Sequence, residues 1–247
     1  MKDNKVIAVK NLTKKFGDFL AVDAISFEVK AGEIFGFLGA NGAGKTTAMK
    51  MLIGISKPSS GEATVAGFDV YAQTELIKKN IGYMSQKFAL YDDLTVRENI
   101  TFFGGIYGLS RATIKEKVKV LVAELKLENI IDQLVGALPL GWKQKLSFSV
   151  SLLHDPKIVF LDEPTGGVDP ITRRQFWEMI YHAADKGTTL FVTTHYMDEA
   201  EYCDKVSIMV NGKIEAMGPP KLLKERYGAS NLNEVFLKLA RGSKPNE

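Results

Sequence analysis

Eight consecutive residues, Gly39-Ala40-Asn41-Gly42-Ala43-Gly44-Lys45-Thr46, follow the pattern G-x-x-x-x-G-K-[ST] in full. Glycines let a backbone curl until successive N–H groups converge on one anion. The Lys45 ammonium can then reach the β- and γ-phosphates of a nucleotide, and the Thr46 hydroxyl offers an oxygen to Mg²⁺. A helix opening behind the loop adds its N-terminal partial positive charge, about half a unit, under the same anion. A second chemical group is the acid pair Asp162-Glu163, which directly follows Ile158-Val159-Phe160-Leu161. Of two adjacent carboxylates, Asp162 suits the outer ligation of a metal, and Glu163 suits an attacking water that must be polarised. A strand that ends in acids is weak alone and becomes strong beside the phosphate loop.

These groups act only if particular elements carry them. Ile34–Leu38 is a continuous apolar run fit for a strand buried on both faces, and it leads into the loop. Thr46–Ile53 has helical spacing and stops at Gly54, ahead of the turn formers Lys57–Gly61. Ile158–Leu161 predicts another buried strand, which delivers both acids to the carboxyl end of a sheet, where α/β folds bind ligands. Thr189–Thr193 predicts one more, ending beside His195. Val6–Leu12 and Ser26–Val29 read as strands of antiparallel character, and Val206–Val210, Asn211-Gly212 and Lys213–Ala216 as a hairpin. Helical periodicity marks Val96–Phe103, Ile114–Leu125, Gln144–Leu153, Arg173–Ala184, Pro219–Tyr227 and Leu232–Leu239. The expected fold class is α/β, a mostly parallel sheet flanked by helices, with an antiparallel β portion and a helical section.

Composition sets limits around this reading. The chain has 247 residues, 32 Lys+Arg against 29 Asp+Glu for a net charge of +3, and 45% hydrophobic residues, which excludes disordered, collagen-like and disulfide-scaffold classes. The charge is too small and its signs too interspersed to argue for a nucleic-acid partner. The single cysteine, Cys203, reads as a small packing residue in a reducing compartment. No apolar leader follows Met1–Lys5, and no apolar run approaches the ~20 residues of a membrane helix, so the chain is expected in the cytosol or at a membrane surface. His154, His182 and His195 lack metal-ligand spacing. His182 is expected solvated, His154 at a helix end facing its last carbonyls, and His195 at the end of a buried strand. Phe102, Phe103 and Tyr107 read as core in preference to a partner surface, which stays open, and Arg241–Glu247 as a polar tail.

In their order and spacing these motifs resemble the ATP-binding subunit of ABC transporters over essentially the whole chain. Gln86 in Gly82-Tyr83-Met84-Ser85-Gln86 matches the family's Q-loop, and Gly166-Gly167-Val168-Asp169 stands in the D-loop place. His195 matches the switch histidine, and Phe16 in Lys14-Lys15-Phe16-Gly17 matches the aromatic that stacks on adenine. The resemblance implies a P-loop NTPase core that binds ATP through Phe16, Gly39–Thr47 and Gln86, with Thr47 beside Thr46 in the nucleotide contact. It implies Mg²⁺ at Thr46, Gln86 and Asp162, and hydrolysis by Glu163, His195 and Lys45. One cassette over 1–240 is implied, with a helical subdomain at about 87–150 and C-terminal helices at about 219–240.

The family signature, usually Leu-Ser-Gly-Gly-Gln, is matched here by Leu138-Pro139-Leu140-Gly141-Trp142. In the family this motif closes over the γ-phosphate held by a second subunit, with Asp169 in the adjoining D-loop. Pro139 has neither hydroxyl nor N–H, so it donates nothing; the Gly141 backbone and the N-terminus of a Lys143–Leu153 helix remain to meet the anion. This variant, with Thr193–Ala200, Phe88–Asn99 and Asn233–Leu237, resembles the type-2 ABC exporters, among them bacterial drug-efflux ATPases. Implied partners are a second ATP-binding subunit, packed head to tail, and a separate membrane-spanning permease at the cytoplasmic face of the cell membrane. An importer ATPase and a non-transport ABC ATPase stay open as alternatives. A P-loop kinase would leave His195 and Leu138–Trp142 without a use.

Overall fold

The computed structural model describes residues 4–87 and 89–242; Phe88 and residues 243–247 of the expected polar tail lie outside the described residues. Lys5–Phe16 (β1) and Phe19–Lys30 (β2) pair antiparallel, from Lys5 opposite Lys30 to Phe16 opposite Phe19. Both outrun the predicted Val6–Leu12 and Ser26–Val29, because register shifts between Val9 and Lys15 break the alternation while pairing continues. Ile34–Gly39 (β3) leads through the glycine loop into Lys45–Leu52 (α1). Ser60–Val65 (β4), Phe68–Asp69 (β5), Thr74–Asn80 (α2) and Ile81–Met84 (β6) follow, all four unpredicted from the sequence. Val96–Ile106 (α3), Arg111–Leu125 (α4) and Leu140–Ser151 (α5) form the helical section. Ile158–Asp162 (β7), Pro170–Asp185 (α6), Thr189–Thr194 (β8), Lys205–Val210 (β9), Lys213–Gly218 (β10), Pro220–Arg226 (α7) and Leu232–Ala240 (α8) complete the order.

Among the described residues the strands form two sheets, ordered β2-β1-β4-β5 and β10-β9-β3-β8-β7-β6. The second is parallel from β9 through β6, with β10 added antiparallel by the Asn211-Gly212 turn. Every residue of β3, β7 and β8 is buried, which is why β3 and β7 read as apolar runs up to their ends, while β8 adds buried threonines around Leu190–Val192. Between the sheets Phe27, Phe35, Phe37, Phe160 and Phe191 pack with neighbouring centroids 5.2–5.5 Å apart. On the other face Phe176, Trp177 and Ile180 of α6 and Val235 of α8 cover the parallel sheet. Cys203 belongs to this cluster, its thiol pushed far up by burial, as suits a packing residue.

Helices α3, α4 and α5 keep a hydrophobic cluster of their own, with Val96, Ile100, Ile114, Leu121, Leu146 and Val150. Local signals explain their ends. Thr95 and Glu98 form a capping box for α3, and Ser110 accepts the Thr113 N–H to cap α4. Helix α5 begins at Leu140, with Pro139 as its N-cap, rather than at Lys143 or Gln144 as predicted. Phe102 is at the surface, 41% exposed and edge-on to Tyr91 at 4.9 Å, against the expectation of core; Phe103 and Tyr107 are partly buried against the helical cluster.

His154 does not face the carbonyls of its own helix. Its Nε2 pairs with the Ile81 carbonyl at 3.0 Å, and its ring stacks on Tyr107 at 3.9 Å, joining the helical layer to β6. The buried Nδ1 has no partner, so protonation would place an N–H where nothing accepts it. Burial accordingly depresses the imidazole pKa below its ordinary 6.5, only partly opposed by the Ile81 bond and Asp155. The folded chain thus binds fewer protons here than the unfolded chain, and stability falls as pH drops through the mid-sixes. The urea midpoint should decrease between about pH 7.5 and about pH 5.5, and decrease less in His154→Gln; equal decreases in both proteins contradict the assignment.

Candidate functional site

Strands β3, β8, β7 and β6 are adjacent and parallel, so their carboxyl ends share one edge of the sheet. From that edge β3 delivers the glycine loop, β8 delivers His195, β7 delivers Asp162 and Glu163, and β6 delivers Gln86. A ligand at this edge meets residues from four strands at once.

The glycine loop is shaped by close backbone contacts. A Cβ at Gly39 would lie 2.5 Å from the Met209 carbonyl oxygen, and one at Gly44 would lie 2.5 Å from that of Ala21, where φ is +105°. Ala40, Asn41 and Gly42 are exposed, while Ala43 is buried, its carbonyl accepting the Gly212 N–H at 3.1 Å. Gly44 is the N-cap of α1 and offers no side chain, so the first N–H groups of the helix, from Lys45, Thr46 and Thr47, open toward the loop. Lys45 is 4% exposed; its Nζ donates to the Gly39 and Ala40 carbonyls at 2.8 and 3.1 Å and lies 3.4 Å from Glu163 Oε1. Burial lowers its pKa, and the Glu163 carboxylate works against that fall.

Asp162 is 2% exposed, and its Oδ1 accepts two hydroxyls, Thr46 at 3.1 Å and Thr193 at 2.6 Å. Glu163 turns out of the strand with φ +50°, a left-handed backbone that costs a non-glycine residue about 1–3 kcal/mol. It is held there by its N–H, which bonds both the Thr193 carbonyl and hydroxyl at 3.0 and 3.1 Å. The Glu163 carboxylate, 9% exposed, gathers three nitrogen groups. Beside Lys45, Gln86 Nε2 donates to Oε2 at 3.0 Å and His195 Nδ1 stands 3.1 Å from the same oxygen. Gln86, Glu163 and His195 line a cavity of about 320 Å³ with Leu140, Gln144 and Gly166. Burial, then the Asp162 charge, pushes the nearby Tyr83 phenol up to about 12.

The structure thus brings together Lys45, Thr46, Gln86, Asp162, Glu163 and His195. Hydroxyl and carboxylate oxygens are hard donors, so Thr46 and Asp162, 3.1 Å apart, fit Mg²⁺, which takes few protein ligands and completes its shell with phosphate and water. Phe16 stands apart at the exposed end of β1, 54% exposed, with the Lys14 ammonium 5.0 Å above its ring. Asp169 caps α6: its carboxylate accepts the Thr172 hydroxyl and the N–H groups of Thr172 and Ile171, and these bonds hold its pKa low. Of the signature stretch, the Leu138 side chain is buried in the helical cluster, Pro139 makes no side-chain cap, and Leu140 is exposed. Gly141 sits against Thr172, and Trp142 packs under the Lys145 ammonium at 5.3 Å.

Sequence reasoning missed Thr193, which holds both acids, and Gln144, a buried amide that donates to the Gly166 carbonyl at 3.2 Å. The available signal was the polar residue on a strand otherwise buried on both faces, since such a group must find a partner.

The ABC transporter family pattern matches residues 22–166. The probable multidrug ABC transporter ATP-binding protein YbhF of Escherichia coli is 51% identical over 219 residues, covering 89% of this chain and 38% of that protein. This chain therefore spans well under half the length of that relative. Nod factor export ATP-binding protein I of a Rhizobium strain is 39% identical over 242 residues, covering 98% of this chain and 78% of that one. A solved structure of the ATP-binding subunit of an ABC transporter superposes with a TM-score of 0.85 at 28% identity, covering 95% of this chain and 99% of the other. The chain belongs to the ABC transporter family, as one of its ATP-binding cassettes, a class that hydrolyses ATP. Its P-loop NTPase fold, a mostly parallel sheet with helices beside an antiparallel sheet, is the one expected from the sequence.

The loop contacts predict an ordering of stabilities. Gly39→Ala and Gly44→Ala drive a methyl into backbone oxygens and should each lose about 2–4 kcal/mol. Gly42→Ala meets nothing within 4 Å and, at φ +80°, should lose only about 1 kcal/mol in urea unfolding.

Proposed function

We propose that this chain is the motor subunit of an ABC export system, binding MgATP between two cassettes packed head to tail and driving a separate membrane-spanning permease. The observation that carries this reading is the Glu163 carboxylate, gathered by Lys45, Gln86 and His195 at the mouth of the glycine loop. The N–H groups of Gly39–Thr47 cradle the phosphates, and Phe16 offers its exposed ring to the adenine. Lys45 exchanges Glu163 for β- and γ-phosphate oxygens. Glu163 then accepts the proton of a water as its oxygen attacks the γ-phosphorus, and the bond to the ADP oxygen breaks to give ADP and phosphate. His195, beside Glu163, donates to γ-phosphate oxygens as charge builds on them. Thr46, Asp162 and Gln86 would hold Mg²⁺, which would supply neutralisation of the phosphate charge.

From the facing cassette, the Leu138–Trp142 stretch would close the site. With Pro139 unable to donate, the N–H groups that open α5 at Leu140 and Gly141 are what it presents to the γ-phosphate. Asp169 would meet the partner across the same interface. We read residues 1–240 as one cassette, with the helical section at about 87–150 and α7 and α8 within about 219–240. Export rather than import is supported by the names of the relatives, a multidrug transporter protein and a Nod factor export protein. Among the described residues no helix is long and apolar enough to cross a membrane. We assign membrane crossing to the permease on the family resemblance, with this chain at its cytoplasmic face.

Glu163→Gln should bind ATP within about threefold of the parent while phosphate release falls about a hundredfold or more. Turnover within about threefold of the parent would remove Glu163 as the base. Lys45→Ala should lose saturable MgATP binding. Affinity purification from membranes should recover a hydrophobic multi-span protein; recovery of ribosomes or DNA instead would favour a non-transport ATPase.

A further inference from the structure

Glu199, in the short 3-10 turn Glu199–Tyr202, has 0% exposure, and the hydrolysis described above gives it no task. A carboxylate buried this deeply persists only where donors replace its water. Its Oε2 accepts the Thr194 hydroxyl at 2.9 Å and its Oε1 the Thr165 hydroxyl, while the Arg173 guanidinium of α6 pairs with it by charge, Nε 3.2 Å from Oε1 outside hydrogen-bonding geometry. Burial still pushes its pKa up, with the two hydroxyls and Arg173 pulling it back.

What these donors are attached to gives the carboxylate its meaning. Thr194 immediately precedes His195, and its hydroxyl oxygen also accepts the N–H of Tyr196, which immediately follows. Both chain neighbours of His195 are therefore tied through Thr194 to one carboxylate. Arg173 adds a second grip, its guanidinium 4.4 Å from the Tyr196 ring, whose centroid lies 4.1 Å from that of His195. On the other side, Thr165 lies two residues past Glu163, in the turn closed by the Gly166 N–H on the Glu163 carbonyl at 3.2 Å. Apolar residues would close a turn of this kind without burying a charge. A carboxylate serves where two loops and a helix must keep a fixed relation.

We propose that Glu199 is a positioning residue for hydrolysis: it locks the His195 loop to the Glu163 turn through Thr194, Thr165 and Arg173. The proposal rests on the roles given above to Glu163 and His195. It deepens that reading by naming what holds the two side chains at their mutual distance of 3.1 Å. Loosening the lock spoils the geometry of the reacting groups and leaves the phosphate cradle, built on β3 and α1, as it is.

The test uses the full chain and MgATP, with steady-state phosphate release, nucleotide titration and thermal unfolding measured on each variant. Glu199→Gln keeps the shape but sets an amide against two hydroxyls and a guanidinium; it should lower kcat about tenfold or more, with KM and ATP affinity within about twofold. Thr194→Val and Arg173→Lys should lower kcat in the same direction by smaller factors. Combined with His195→Ala, Glu199→Gln should add less than about twofold, because it acts through that histidine. A folded Glu199→Gln with kcat within about twofold of the parent overturns the proposal, as does a loss of kcat that merely tracks the unfolded fraction. If Glu199→Gln does not fold, Thr194→Val and Arg173→Lys decide: unchanged kcat in both refutes the lock, and reduced kcat at constant KM supports it. Full activity in His195→Ala and Glu163→Gln sinks the underlying reading. Loss there beside a normal Glu199→Gln sinks the lock alone.

Discussion

A single oxygen, Asp162 Oδ1, accepts the hydroxyls of both Thr46 and Thr193, and the site depends on that shared bond. A carboxylate only 2% exposed is costly unless its charge is met by donors. Meeting it with one hydroxyl from α1 and one from β8 fixes the phosphate loop and two parallel strands to a common point. Thr193 then serves a second time, its carbonyl and hydroxyl taking the Glu163 N–H and keeping that residue in its left-handed turn. Glu163 leaves the strand direction at φ +50°, and its side chain lies against Lys45. Strain of this kind survives because the buried bonds around it over-determine the backbone.

Much of this was legible in the sequence wherever the chemistry was contiguous. The glycine loop and the acid pair are short strings whose meaning does not depend on distant partners, and the strands beside them announce themselves by apolar runs, Ile34–Leu38, Ile158–Leu161 and Leu190–Val192. Strand β6 was not legible: Ile81–Met84 is four residues long, carries a glycine, and gains its strand character only by pairing with β7. Gln86 was therefore placed by resemblance before any element could be given to it. Pro139 misled in the other direction. Read as a departure from the signature, it hid the start of α5 one residue later, although a proline's fixed φ suits a helix entrance.

Glu199 shows a different limit. Asp198, Glu199 and Glu201 form a charged run, and nothing local tells which acid is turned inward. The answer depends on Thr165, 34 residues away, and on Arg173 in α6, so it belongs to tertiary structure alone. Phe102 makes the converse point, since helical spacing allowed it a buried face and the packing of α3 on α4 left it outside. Periodicity assigns a stripe to a helix, but the neighbours decide how wide a stripe they cover.

Under the proposed mechanism, the arrangement around Lys45 would link binding to chemistry. An ammonium 4% exposed requires anionic or carbonyl partners, and it has the Gly39 and Ala40 carbonyls and Glu163 Oε1. Phosphate oxygens at the loop compete for the same ammonium with more charge than one carboxylate carries, and at closer range than 3.4 Å. In the proposed reaction, Oε1 then loses its cation and becomes free to accept a proton from water, while Gln86 keeps its bond to Oε2 and holds the side chain in place. On that reading, the exchange that seats the nucleotide would also release the base. If Glu163 is the base, its contact with Lys45 would keep the reacting oxygen occupied until there is a phosphorus to attack.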